Sequence, residues 1–393
     1  MHSRMTAASA ALAIAASGVA HAGNDRLRYE LSNAEAEALS LSLNKGSALD
    51  LGVQIQFRYM TNSRDDSAGA LGDSDTTIGF NVRRAQVELK GDVTEDISGK
   101  VVFQFNRSTG NALIRDAFVD WDISEDVTLR IGQFRLPALR EEMISSKRQL
   151  AFERSATNET YNQDRSHAVQ ATFGGDTWRT YLAFSDGFNS DNSPFNSAAK
   201  ADYGFTGRFE LKFGEAAWGQ FNQFTSFRGA NQGLMIGAVA HYENRGDTNP
   251  ATNPSTDMFL FTGDASFVSD GWNLFGAYIF RNMDGGPGAD FDDGGAVLQG
   301  GVFVSDQTEL YARWDAVYSD SARGATGDDF NTITFGFNHY FTPESHAGKF
   351  TLGVGFTLDP TTTSIVRTSD GHNLLVDADD GQFSVTAQMQ FMF

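Results

Sequence analysis

The sequence predicts an all-β protein, a sixteen-stranded antiparallel transmembrane β-barrel with a short N-terminal helix ahead of it. Three observations carry that prediction. Segments of about ten residues alternate apolar and polar side chains with period two. The connections between them alternate between short and long, and of seventeen candidate segments one lacks the alternation, leaving the even number that returns both ends of the chain to one side. The alternation runs to the last residue: Phe383, Val385, Ala387, Met389, Phe391 and Phe393 are apolar, with Ser384, Thr386, Gln388 and Gln390 between them. Chain termini usually fray, so an ordered strand that reaches the terminal carboxylate implies that this end is paired.

The elements follow in chain order. His2 and Arg4 give a basic start, Met5 to Ala16 is a small-residue apolar stretch, and Ala20-His21-Ala22 is a small–x–small cleavage pattern. Residues 1–22 therefore read as a signal peptide cut before Gly23. Twelve apolar residues are too few to cross a bilayer as a helix, and no other run approaches the ~18 required. Any membrane span must then be a strand. Within the periplasmic segment 23–46, Leu27, Leu31, Ala34, Ala38 and Leu41 are spaced 4-3-4-3, a short helix ending near Lys45-Gly46. It serves equally as an amphipathic helix on the barrel or as a coiled-coil seam, although two heptads cannot hold chains together alone.

The barrel occupies residues 47–393, with strands over 49–60, 76–90, 98–107, 114–123, 127–135, 165–174, 177–186 and 203–213 in its first half. The second half holds 233–242, 257–268, 271–281, 296–304, 308–318, 330–341, 348–358 and 382–393. A seventeenth candidate, Trp218–Phe227, places its aromatics at 218, 221, 224 and 227. That is period three, so it reads as a helical or irregular turn on the periplasmic side. In the second strand the apolar phase slips, from Ile78, Phe80 and Val82 to Ala85, Val87 and Leu89. A β-bulge at Arg83-Arg84 would turn at least one arginine inward.

Composition narrows the function. The formal charge of −20 disfavours nucleic acid, which is bound by clustered surplus Lys and Arg. With no Cys there is neither a disulfide framework nor a thiolate metal site. No nucleophile elbow, metalloprotease helix or phosphate loop occurs, so no catalysis and no cofactor is expected. Asp290-Phe291-Asp292-Asp293-Gly294 has the wrong spacing for a calcium loop, with no Glu at position twelve, and reads as a solvated acidic loop.

The second to fifth strands and the loop after them resemble the phosphate-selective porin O/P family. The likeness lies in Arg83-Arg84 with Gly91 closing the strand, Arg115-Asp116-Ala117-Phe118-Val119-Asp120, and Arg130-Ile131-Gly132-Gln133-Phe134 with Pro137. It continues through Glu141, Ser145-Ser146 and Phe152-Glu153-Arg154-Ser155. It is specific over about residues 78–156 and thinner beyond; Ala138 departs from the aromatic usual after the proline. The resemblance implies a homotrimeric, sixteen-stranded channel in the bacterial outer membrane, whose third outer loop folds into the pore. It also implies that terminal Phe393 is an assembly signal read by the outer-membrane assembly machinery. The family's phosphate-binding arginine ladder does not transfer residue by residue.

The loop Leu136–Asp164 is 29 residues long, more than a compact protein carries without a use for it. We expect it to form the pore constriction, through Arg140, Glu141, Glu142, Lys147, Arg148, Glu153 and Arg154, together with Arg83, Arg84 and Arg130 of the wall. In that expectation the arginines share one wall and Glu141, Glu142 and Glu153 stand opposite. Arg58, Arg208 and Arg313 fall in the lumen phase as pore-lining residues. Removing Arg4 with the signal peptide brings the charge to −21, but four outer loops (61–75, 282–295, 319–330 and 359–380) hold 16 acidic and 3 basic residues. Charge acts within a Debye length of ~8 Å, so a basic narrowing distant from those loops favours anions weakly. The reading is an outer-membrane porin, a passive diffusion channel for small hydrophilic solutes, with anions such as phosphate among them. A structural or adhesive surface barrel and a lipase-like barrel enzyme are the alternatives.

Overall fold

The computed structural model describes residues 49–65, 76–195, 197, 200–245, 256–284, 290–326, 329–361, 366, 371–372 and 374–393. The expected signal peptide and the helix of 23–46 lie outside them, as do parts of the four acidic loops. Sixteen strands run as β1 Leu49–Ser63, β2 Thr76–Asp92, β3 Ile97–Phe105, β4 Ala112–Ser124, β5 Val127–Phe134, β6 Ser166–Gly174, β7 Trp178–Ser185 and β8 Tyr203–Gly214. They continue as β9 Gly233–Asn244, β10 Asp257–Ser269, β11 Trp272–Asp284, β12 Phe291–Phe303, β13 Thr308–Tyr318, β14 Phe330–Tyr340, β15 Gly348–Thr357 and β16 Phe383–Met392. Each pairs antiparallel with its neighbours in sequence, and β16 pairs with β1 to close the barrel.

Closure explains the ordered C-terminus. Phe57 lies opposite Met389 and Tyr59 opposite Ala387. Beyond the last ladder pair, Val53 and Phe393 exchange main-chain bonds of 2.7 and 3.2 Å. The Phe393 ring itself is 74% exposed, so the main chain holds the end while the side chain points away. Alternation sorts the faces as the pattern requires. In β16, Ser384, Thr386, Gln388 and Gln390 are buried inside, while Phe383 and Phe391 are exposed outside.

Several strands run past their expected ends, notably β1 to Ser63, β11 to Asp284 and β12 from Phe291. Outside an apolar belt both faces are polar, so the alternation fades while the ladder continues, as in Asn282 opposite Asp292. The expected bulge is present: Gln56 pairs with Arg84 and Phe57 with Val82, with Arg83 the extra residue of β2 between them. A second bulge leaves Arg115 out, between Val102–Asp116 and Phe103–Ile114. Trp218–Phe227 forms no strand; its first part, Trp218–Asn222, is a 3-10 turn.

Two connections fill the interior. The β5–β6 loop carries α1 (Arg140–Met143), a 3-10 turn (Ser146–Arg148) and α2 (Ala156–Tyr161), with Ser155 Oγ accepting from Asn158 N at 2.9 Å as the cap of α2. The β8–β9 connection buries Phe221 and Phe224. Between loop and wall lies an apolar core in which Leu136, Leu139 and Tyr161 meet Val239, Leu260, Ile279 and Val317. Such inward apolar side chains are foreign to a water-filled wall and mark where the loop docks.

Gly132, opposite Phe118, has φ +138, and a Cβ there would lie 2.2 Å from Ala117 O. At Gly99 the nearest atom would be 3.8 Å away. Gly132→Ala should therefore cost about 3 kcal/mol or more, and Gly99→Ala should stay within about 0.5 kcal/mol. Urea unfolding in lipid vesicles, followed by tryptophan fluorescence, measures both.

Candidate functional site

One carboxylate of the loop gathers three arginines of the wall. Glu153 Oε1 accepts from Arg84 Nη2 at 2.6 Å, and Oε2 accepts from Arg83 Nε at 2.7 Å and from Arg84 Nη1 and Arg58 Nη2 at 3.1 Å. The bulge makes this possible, because it lets consecutive arginines reach the same group from one strand. Burial alone would raise the Glu153 carboxyl, but Arg83, Arg84 and Arg58 outweigh it and hold the group well below the usual carboxylate range.

Around this latch the wall donates to the loop's carbonyls. Arg313 Nη1 reaches Glu153 O at 2.8 Å, Asn338 Nδ2 reaches Leu150 O at 2.8 Å, and Lys349 Nζ reaches Gln149 O at 2.9 Å. Gln390 and Gln56 serve Lys147 O and Ser146 O at 3.0 and 3.2 Å. Asp315 Oδ2 accepts from Ala156 N at 2.8 Å, and Tyr161 OH donates to Gly294 O at 2.6 Å. Buried backbone groups need such partners, and this loop obtains them mainly from strands β12 to β16 and β1, with Arg208 of β8 donating to Ala138 O at 3.2 Å.

The loop's other charges fold it on itself. Glu141 accepts from Ser155 N at 2.7 Å and Ser155 Oγ at 2.6 Å. Glu142 pairs with Arg135 at 2.8 Å and Arg154 at 3.0 Å. The expected opposition of an arginine wall to a glutamate wall is thus not the arrangement found. Arg83 and Arg84 touch Glu153, and Arg154 touches Glu142, because buried opposite charges are stable only in contact. Lys147 meets Glu88 at 3.1 Å. Arg208 is bound by Asp264 and Glu210 at 2.7 Å each, and Arg313 by Asp315 at 3.2 Å.

On the other side, between the loop and strands β3 to β7, a cavity of 470 Å³ remains open. Lys100, Arg130, Arg135, Arg140 and Arg148 line it, with Asp116 as the acidic group. Arg130 is held by both oxygens of Asp120 at 2.7 and 2.8 Å, with its guanidinium 4.1 Å from the Phe118 ring centroid. Arg140 sits 3.6 Å from Glu210 and donates to Phe221 O. Arg135 and Arg165, the latter 2.9 Å from Asp116, were not among the expected site residues. Their signal was position: each flanks the long loop.

The profile of the family described as phosphate-selective porin O and P matches residues 53–393. The chain belongs to this family. Membership makes the molecule a porin, a passive diffusion channel, and points to the bacterial outer membrane. Solved structures agree on the fold. An OmpT of Vibrio cholerae in trimer form is 15% identical, covering 88% of this chain and 99% of its own, with a TM-score of 0.60. The anion-selective porin of Comamonas acidovorans is 13% identical, covering 88% and 100%, with a TM-score of 0.62. OmpF of Salmonella typhi, solved with daunomycin, is 13% identical, covering 88% and 99%, with a TM-score of 0.59. No curated protein sequence matches the chain significantly.

Glu153→Ala leaves three guanidiniums in the lumen without their counter-ion and should cost about 3–5 kcal/mol. The pH dependence follows from the depressed carboxyl. Its contribution is complete above the unfolded value of about 4.3 and is lost only as pH falls through the lower folded value. Unfolding measured at pH 7 and pH 5 should therefore give the same difference between wild type and variant; a difference already gone at pH 6 would contradict the latch.

Proposed function

We propose that the porin is an exported outer-membrane channel with weak preference for anions, its narrowing formed by the β5–β6 loop against strands β3 to β7. The observation that carries this is the lining of the 470 Å³ opening, five basic groups to one acidic. Carboxylates that neutralise some of them, Asp120, Glu142 and Glu210, stand outside that lining. An ion in the opening meets the guanidiniums first, and confinement strengthens their effect. The loop residues and Arg83, Arg84 and Arg130 act together in this reading. Arg130, Arg140 and Arg148 face the solute, whereas Arg83, Arg84, Glu153 and Arg154 fix the loop that creates the narrowing.

The mature porin begins at Gly23, spans the outer membrane with its sixteen strands, and associates as a homotrimer. Phe393, exposed beside a closed seam, is available to the assembly machinery during insertion. The exposed ring of Phe356 in β15 and the buried Thr351 in the same strand support a lipid-facing and a lumen-facing row.

Two measurements test this. A unit charge ~8 Å from the ion path at the dielectric of water is worth about 0.5 kcal/mol, about twofold in permeability. Arg148→Ser should lower the chloride-to-potassium ratio, read from the reversal potential in planar bilayers, by about that factor; a wild-type channel that favours potassium would contradict the proposal. For the membrane placement, Val354→Arg should cost ~2–4 kcal/mol if it lies at mid-bilayer. Thr351→Arg, facing the lumen, should leave the yield of folded porin higher, and equal yields would contradict the assigned faces.

A further inference from the structure

We infer that the opening beside the loop selects organic anions carrying an apolar ring or chain over inorganic phosphate. The inference rests on the anion-channel reading above and names the solute class for the same site.

Channel-facing positions of a barrel wall are ordinarily polar, yet Phe118, half-buried at the edge of the core on which the loop docks, carries Arg130 over one face of its ring and still reaches the cavity. It meets Phe134 edge-on, with centroids 6.1 Å apart at 77°, and both rings line the cavity. Met143 and Ile144 of the loop line the same cavity. The main chain of Phe118 runs close to β5, where a Cβ at Gly132 would lie 2.7 Å from Phe118 Cα.

The cations beside these walls are largely engaged. Arg130 is held by Asp120, Arg135 by Glu142, and Lys100 by Glu88 at 3.3 Å. Arg140 donates to Phe221 O and neighbours Glu210. Arg148 is exposed and is the one lining cation without an ion-pair partner among the described residues. Phosphate sheds its hydration only where several donors stand ready to replace it, and here few are free. A carboxylate with an apolar body needs less: one cation for its charge, and apolar walls for the rest. At 470 Å³ the cavity falls within the range of about 300–1,000 Å³ seen for small-molecule sites.

The test is made on the full-length porin in planar bilayers, with benzoate, acetate and phosphate added to potassium chloride at matched ionic strength. Benzoate should halve the chloride current at about one-tenth the concentration needed for acetate or phosphate. In Phe118→Ser the benzoate and acetate values should converge. Equal benzoate and acetate values in the wild type, or phosphate acting at the lowest concentration, would overturn the inference. The wild-type comparison decides it even if the variant fails to insert. A reversal potential recorded in the same membranes separates the two failures: chloride selectivity with no ring preference sinks only this inference, whereas potassium selectivity sinks the anion reading and this inference with it.

Discussion

Everything inside this barrel depends on the contact between the Glu153 carboxylate and the guanidiniums of Arg58, Arg83 and Arg84. Three like charges brought together in a buried space repel one another, and a single carboxylate with short bonds to all of them makes the assembly tolerable. That carboxylate sits near the middle of the β5–β6 loop. The interaction therefore converts a long connection that would otherwise lie over the barrel mouth into a structure fixed across the lumen. A sixteen-stranded barrel is wide enough to leave an aqueous bore, and the latched loop occupies part of that interior while a cavity of 470 Å³ remains beside it.

The open part is the part the loop does not use. Strands β13 to β16 and β1 direct inward donors at the loop's carbonyls, and β12 offers Gly294 O to Tyr161 OH. Lys100, Arg130, Gln170 and Tyr181 of β3, β5, β6 and β7 instead line the remaining cavity. The division gives the two groups of arginines different work. Arg58, Arg83, Arg84 and Arg313 are structural cations whose charge is consumed in place. Arg130, Arg140 and Arg148 line the cavity that remains open. A net charge of −20 for the whole chain therefore says little about the narrowing, because screening limits each charge to its own neighbourhood.

Much of this was legible in the sequence. Period-two alternation located the strands because a barrel wall has one apolar and one polar face, and it blurred only where strands ran beyond the apolar belt. The phase slip at Arg83-Arg84 located a bulge, and the period-three aromatics separated Trp218–Phe227 from the strands. Pairing inside the lumen was not legible, since it is decided by contacts between residues far apart in sequence. Arg84 and Glu153 are one example, and Asn338 with Leu150 is another. Inward apolar residues such as Val239, Leu260 and Ile279 were a usable signal, as was Gly353, where a Cβ would lie 2.3 Å from the Phe152 ring. Each marks a place where the wall yields to the loop.

The central claim is that one carboxylate fixes the loop inside the barrel. A density map of the porin in lipid nanodiscs, at a resolution that places side chains, tests it most directly. The account predicts the β5–β6 loop within the lumen and the Glu153 carboxylate in hydrogen-bond contact with Arg58, Arg83 and Arg84. A loop folded outward, or three arginines facing open water without Glu153, would contradict it.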